Sequence, residues 1–293
     1  MPGTVLITGC SPGGIGHSMA RQFRKHGYHV IATARSTDKI QDLAELGMTT
    51  LQLEVTSEGS IRSCLDEVQK HCSGGLDFLV NNAGRNCTIP ALDLDIADAR
   101  DCFETNLFAI MRLIQVFCPL LMQAKGNIIM IGSLAGEMPY VFGAAYNASK
   151  AALLSYSDTL RVELAPFDVS VITVITGGIR SELTKKSPRF ISESSIYAPI
   201  KALFERRKLH SAEVGIEPDV FATSVVPQLL PGAGPWPRRW FVKDARRRWI
   251  WAGAKSTLIW FLTAGWWQHG LFDWYFTREF QLGRLRSIKA KAS

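Results

Sequence analysis

Tyr146 and Lys150 stand four residues apart in the run Tyr146-Asn147-Ala148-Ser149-Lys150. Positions i and i+4 share a helix face, so a helix here makes the phenol and the ammonium neighbours. A free tyrosine, with a pKa of about 10, is a poor proton donor at neutral pH. A nearby cation favours the phenolate and brings the group toward its working range. Ser133 follows the apolar run 127–132 and adds a hydroxyl suited to polarising a carbonyl. The three residues together predict proton transfer at a carbonyl or alcohol oxygen. The Tyr/Lys pair alone would prove little, because such spacing also arises by accident.

A second chemistry-bearing stretch is Thr8-Gly9-Cys10-Ser11-Pro12-Gly13-Gly14-Ile15-Gly16. Glycines admit positive φ and close approach of a ligand to backbone. A helix starting after them offers free N–H groups and partial positive charge to a pyrophosphate. Further on, 33–36 reads Thr-Ala-Arg-Ser. An acid near this point suits a ribose 2′-hydroxyl, whereas Arg35, beside Ser36, suits a 2′-phosphate and therefore NADPH.

The elements that must position these residues alternate. Residues 4–8, 28–34, 49–55, 77–81, 127–132 and 169–174 are short, β-branched and apolar on both faces, which predicts six strands. Amphipathic stretches such as 57–71 and 96–125 separate them. This pattern predicts an α/β fold: a doubly wound, Rossmann-like parallel sheet with helices on both faces and ligands at the carboxyl edge. Residues 176–228, broken by Pro188, Pro199 and Pro218, are expected to form a substrate lid. The six cysteines include no C-x-x-C pair, so reduced thiols rather than disulfides or a metal site are expected. No charged and apolar leader opens the chain, so no secretory signal is expected.

Gly9…Gly14-Ile15-Gly16, Asn81-Asn82-Ala83-Gly84, Asn106, Ser133 and Tyr146-x-x-x-Lys150 occur in the order and spacing of the short-chain dehydrogenase/reductase family. The chain resembles that family over about 4–230. The resemblance implies that Tyr146 exchanges a proton with the substrate oxygen and that Ser133 hydrogen-bonds the same oxygen. It implies that Lys150 holds the nicotinamide ribose and lowers the tyrosine pKa, with Asn106 supporting a water relay to Lys150. It assigns Asn82, Ala83 and Gly84 to the adenosine side, Glu54 and Val55 to the adenine, and Gly177, Ile179 and Ser181 to the cofactor near its amide. The turn departs from the pattern, with four residues between Gly9 and Gly14 where three are common, and Glu54 stands where Asp is usual.

The last 58 residues differ in kind. Residues 236–293 hold 12 Lys/Arg, 3 Asp/Glu and all eight tryptophans, so they carry a net +9 against −2 for 1–235. We therefore expect a catalytic domain over 1–235 and a Trp-rich basic extension over 236–293. Tryptophan favours the lipid–water interface and Lys/Arg the anionic head groups. The apolar run 257–267 is too short to span a bilayer, which needs about 20 residues. The expectation is a segment, 238–276, that lies on a membrane surface, the alternative being packing on its own domain or a partner copy. No recognisable nucleic-acid-binding fold accompanies these basic residues, so no nucleic-acid partner is expected.

Several stretches, namely the Thr8–Gly16 turn, Ala32-Thr33-Ala34-Arg35, Thr176-Gly177-Gly178-Ile179-Arg180-Ser181 and the aromatic tail, are together similar to fungal NADPH-dependent 1-acyldihydroxyacetone-phosphate reductases. That resemblance implies a hydrophobic or lipid ketone as substrate, with Arg180, Lys185 and Lys186 as candidates for its phosphate. It also implies the endoplasmic reticulum membrane or lipid droplets as location, and pairing into a homodimer through the helices containing Asn106 and Tyr146. A ketoreductase of a fungal polyketide or terpenoid pathway, a steroid or retinoid dehydrogenase, and a non-catalytic nucleotide-binding scaffold on lipid droplets are the alternatives.

Overall fold

A computed structural model describes residues 3–181, 189–232, 249–263, 275, 278, 279 and 281. Seven parallel strands form one sheet: β1 (Thr4–Ile7), β2 (His29–Ala34), β3 (Thr49–Gln52), β4 (Phe78–Asn81), β5 (Asn127–Ile131), β6 (Ser170–Thr176) and β7 (Trp249–Ala252). Their order is β3-β2-β1-β4-β5-β6-β7, which reverses direction between β1 and β4. Every strand is parallel to its neighbours, so all the carboxyl ends face the same way.

Alternation along the strands divides the core between two faces. Val5 and Ile7 pack with Met19 and Phe23 of α1 (Ile15–Lys25) and with Phe221, Val225 and Leu229 of α8 (Pro218–Leu229). Leu6, between them, joins the opposite core. That core holds Ile61 and Val68 of α3 (Glu58–His71), Phe117 and Leu121 of α5 (Ala109–Ala124), and Leu153 and Leu160 of α6 (Ala144–Leu164). The short α2 (Gln41–Glu45) packs beside β3. The expected helix over 96–125 is α4 (Ile96–Phe103) running into α5 through a π-helical turn, Glu104–Phe108. Such turns insert a residue into the helical repeat and accompany functional positions. Asn106 sits inside this one.

Two expected boundaries move. The sheet does not stop at six strands or the catalytic domain at 235. Val174 pairs with Ile250, and Thr176 with Ala252, which adds β7 to the edge beside β6. Trp249 and Trp251 pack on a third cluster that includes Phe142, Ile175, Phe204 and Ile259. These two tryptophans are thus part of the domain they were expected to leave. Aromatic content marked the segment, but the alternating burial of Trp249–Ala252 could be recognised only with β6 alongside. The lid expected over 176–228 is likewise shorter. β6 continues to Thr176, and α8 is a core helix packed on α1. What remains between them is residues 177–200, of which 182–188 lie outside the described residues, and α7 (Lys201–Val214). The basic run 238–248 and Lys185 and Lys186 also lie outside them.

Candidate active site

The carboxyl ends of all seven strands open into one cavity of about 1190 Å³. Gly9, Arg35, Glu54, Asn82, Ser133, Gly177 and Ala254, each just past a different strand, all line it. Pockets for a single drug-sized ligand measure roughly 300–1,000 Å³, so this space suits a dinucleotide together with a second molecule. Arrangement at the carboxyl edge, where the strand order reverses, follows from the parallel topology.

At one end the glycine turn carries the expected geometry. Gly9 and Gly13 have φ of 73° and 70°, values that side-chain-bearing residues resist. A Cβ on Gly9 would stand 3.0 Å from Ala83 Cα, and one on Gly16 would stand 2.5 Å from Asn82 Nδ2. Asn82 is the clamp of this turn: its Nδ2 donates to the Thr8 and Gly9 carbonyls at 2.8 and 2.9 Å. Thr8 Oγ1 accepts from the Asn82 and Ala83 amides at 3.0 Å each. Gly16 therefore serves packing and lies off the cavity lining, whereas Ser11, Gly14 and Ile15 line it. Gly14 caps α1 without a side-chain acceptor, leaving amide donors for a ligand anion. Glu54, Val55, Ala83 and Gly84 line the adjoining wall. Arg35 is exposed at the same end. Ser36 is set off the lining, its Oγ 3.4 Å from Asp38 Oδ2. The uncapped helix, glycine cradle and exposed guanidinium fit a phosphorylated dinucleotide.

The other end gathers Ser133, Tyr146 and Lys150. Ser133 follows β5 and caps a short 3-10 turn, its Oγ accepting from Ala135 N at 3.1 Å. Its hydroxyl also hydrogen-bonds the Tyr146 phenol. Lys150 is buried and donates to the Ile131 carbonyl at 2.8 Å, with Nζ 5.9 Å from the Tyr146 ring centre. Burial pulls the Lys150 pKa down to about 8. Burial pushes that of Tyr146 above the ordinary phenol value, opposed by the Ser133 hydrogen bond and the Arg207 charge. Desolvation dominates at Tyr146, and the charge that opposes it is that of Arg207; Lys150, to which the resemblance assigns the lowering, has its Nζ 5.9 Å from the ring centre. Gly177, Ile179 and Ser181 line the cavity beyond β6.

Asn106 is fully buried and off the lining. Its Nδ2 donates to the Arg85 carbonyl and to Ser149 Oγ, both at 3.0 Å, and its Oδ1 accepts from Arg85 N at 2.8 Å. Ser149 Oγ in turn donates to the Tyr146 carbonyl at 2.8 Å. Its side chain therefore ties the Gly84–Arg85 loop to the helix carrying Tyr146 and Lys150.

Some contributors carried no readable signal. Thr8 and Ser149 are small hydroxyl residues whose partners are distant in sequence. Arg207 is one of three consecutive cations in Arg206-Arg207-Lys208, and only folding distinguishes it. Its neighbour Arg206 reaches Glu279 at 2.7 Å, while Arg207 is buried on the cavity wall. Arg180, expected near a substrate phosphate, instead pairs with Glu217 at 2.9 Å and is absent from the cavity lining.

The comparisons with known proteins agree with this geometry. Residues 3–191 match the short chain dehydrogenase family model. The chain is 44% identical over 259 residues to the NADPH-dependent 1-acyldihydroxyacetone phosphate reductase of Schizosaccharomyces pombe, covering 86% of each. It is 39% identical over 290 residues to the short-chain dehydrogenase fogD of Aspergillus ruber, covering 98% of this chain and 97% of that one. A solved short-chain dehydrogenase from Streptomyces avermitilis superposes with a TM-score of 0.73 at 25% identity, covering 99% and 94% of the two chains. One from Burkholderia cenocepacia in complex with NADP superposes with a TM-score of 0.58 at 27% identity over 64% and 77%. The seven-stranded sheet, the clamped glycine turn, the Ser133–Tyr146–Lys150 group and these matches agree: the chain belongs to the short-chain dehydrogenase family.

Proposed function

We propose that this protein is an NADPH-dependent carbonyl reductase whose substrate is a hydrophobic ketone, 1-acyldihydroxyacetone phosphate. The observation that carries the reading is that Ser133, Tyr146 and Lys150 meet at one end of a cavity whose other end is the glycine turn and Arg35. Gly9, Gly14 and Arg35 at one end and Lys150 at the other would hold NADPH, which when bound would supply the hydride. Ser133 donates a hydrogen bond to the carbonyl oxygen, and Tyr146 passes its proton to that oxygen as negative charge develops. Lys150, itself buried, offsets the charge left on the phenolate. Asn106 acts from behind, holding the helix of Tyr146 and Lys150 against the Gly84–Arg85 loop.

The acyl substrate is supported by the similarity to the Schizosaccharomyces pombe reductase and by the walls of the cavity, which include Leu258 and Ile259 of α9 (Ser256–Thr263). On the same helix Trp260 and Phe261 are 51% and 62% exposed. We read α9 as a contact with a lipid surface, at the endoplasmic reticulum membrane or a lipid droplet, through which an acyl chain reaches the cavity. Sedimentation with anionic vesicles tests this: Trp260→Ser/Phe261→Ser should leave the protein in the supernatant, and unchanged pelleting would refute it. A homodimer is supported by the exposed Phe108 and Met122 on the helix of Asn106 and by Val162 on that of Tyr146.

A second reading, a ketoreductase acting on a hydrophobic ketone without phosphate, is favoured by the similarity to fogD over nearly the whole chain. NADPH consumption in detergent separates the two. Turnover of 1-acyldihydroxyacetone phosphate, lost with the phosphate-free analogue, supports the first. Equal turnover of both, or of polycyclic ketones alone, supports the second.

A further inference from the structure

Arg207 is 8% exposed and yet lines the cavity. Its guanidinium carbon lies 3.4 Å from the centre of the Tyr140 ring, so the ring covers one face of the group. A guanidinium donates in its own plane, through five N–H groups arranged as a fork. Stacking therefore leaves the hydrogen-bonding edge uncommitted. Nε is buried with no hydrogen-bond partner, and among the described residues no carboxylate pairs with Arg207. Of the carboxylates on the cavity wall, Asp101 pairs with Arg85, Glu104 with Arg112 and Glu279 with Arg206, and neither Glu54 nor Glu213, which also line it, pairs with Arg207. A buried cation without a counter-charge is costly by several kcal/mol, and such groups either find a partner or mark a ligand site. Burial already pulls the Arg207 pKa below its usual value.

The location fixes which ligand is concerned. Tyr140, on which Arg207 stacks, accepts through its carbonyl from Asn147 Nδ2 at 2.9 Å, next to Tyr146, which places Arg207 at the reacting end, whereas Arg35 lies with the glycine turn. We infer that Arg207, stacked on Tyr140, is the subsite for an oxyanion carried by the substrate: a planar fork gripping two oxygens of a phosphate monoester or carboxylate beside the carbonyl that Tyr146 protonates. The identification of that oxyanion as a ketone phosphate rests on the function proposed above; the oxyanion site itself does not. It replaces Arg180 as the residue that selects for charge.

The test uses the full chain saturated with NADP⁺ in detergent, titrated calorimetrically with dodecyl phosphate, dodecanoate and dodecanol. The wild type should bind at least one anionic amphiphile about 10-fold or more tighter than the alcohol, as expected of charge-assisted bidentate bonds. Arg207→Met should abolish that preference, and Arg207→Lys, which keeps the charge and loses the fork, should retain part of it. With 1-acyldihydroxyacetone phosphate as substrate, Arg207→Met should raise KM about 10- to 100-fold, while KM for the phosphate-free analogue should change less than about 3-fold, whatever common change in kcat follows from losing the charge near Tyr146. A wild type without anion preference overturns the inference. So does an equal loss of kcat on both substrates with neither KM moved, which would make Arg207 a support for Tyr146 alone. Should Arg207→Met fail to fold, Arg207→Lys decides, since an unchanged preference there equally overturns it. Should the wild type show Arg207-dependent anion binding without reducing the acyl phosphate ketone, the substrate reading fails and the oxyanion site stands.

Discussion

The two ends of the cavity hold cations in opposite surroundings. Arg35 stands in solvent beside a turn whose donors are backbone amides. Lys150 and Arg207 are buried beside Tyr146. An exposed guanidinium keeps its hydration, so it costs the fold little and contributes modestly to binding. A buried cation loses hydration on folding and recovers the cost only when negative charge arrives, in a ligand or a transition state. One end of the cavity is therefore built for recognition at low cost to stability. The other trades stability for electrostatic work, which is visible in the Lys150 pKa pulled down to about 8 by burial.

The sharpest way to break this comparison is to remove the group on which the buried charges act. Tyr146→Phe should reduce kcat by about 10²- to 10⁴-fold, the range for a positioned acid, with NADPH affinity and melting temperature preserved. Steady-state rates and a thermal melt check both, and retained turnover would remove Tyr146 from the chemistry.

Lys150→Met should lose activity and gain stability. Below pH 8 the folded and unfolded chains both carry this charge, so the burial cost is fully expressed. Between about 8 and the ordinary 10.5, the unfolded chain holds a proton that the folded one has released, so this group's contribution rises with pH. The variant should exceed the wild type by up to about 3 kcal/mol at neutral pH, with the difference closing toward pH 10.5. Urea unfolding at both ends of this window measures it. A variant less stable than the wild type at neutral pH would contradict the desolvation argument.

Asn106→Ala separates electrostatic from structural work. It strands Arg85 N and the Arg85 carbonyl, leaves Ser149 Oγ its bond to the Tyr146 carbonyl, and should destabilise by about 2 kcal/mol. Because the lost bonds tie two elements together rather than touch the cavity, kcat should fall while KM for NADPH moves little. Arg35→Ala should produce the smallest change and the most selective one. NADPH affinity should drop about 10-fold, as expected for one exposed charge-assisted contact, while NADH affinity and stability stay constant. An equal loss for both cofactors would place Arg35 outside 2′-phosphate recognition.

The residues legible in sequence are those whose meaning is local. Gly9, Gly14 and Gly16 follow a strand and open a helix. Tyr146 and Lys150 lie one helical turn apart, Ser133 and Asn82 immediately follow apolar runs, and Arg35 ends the second strand. For these, spacing along the chain is already spacing in the fold. Burial could not be read in this way: nothing in Arg206-Arg207-Lys208 tells which cation faces inward, and Trp249–Ala252 reads as tail until β6 is beside it.

The sequence by itself determined the doubly wound parallel sheet, the turn that cradles phosphates and the Ser–Tyr–Lys chemistry, because strand and helix periodicities and one-turn pairs are short-range properties. Only the tertiary structure decided that β7 completes the sheet, that α8 belongs to the core rather than to a lid, that Asn106 braces a loop, and that Arg207 rather than Arg180 meets the cavity. Each of these depends on which residues distant in the chain exclude water from one another. Desolvation, which sets the cost and strength of every charge at this site, is a property of that assembly and of no single residue.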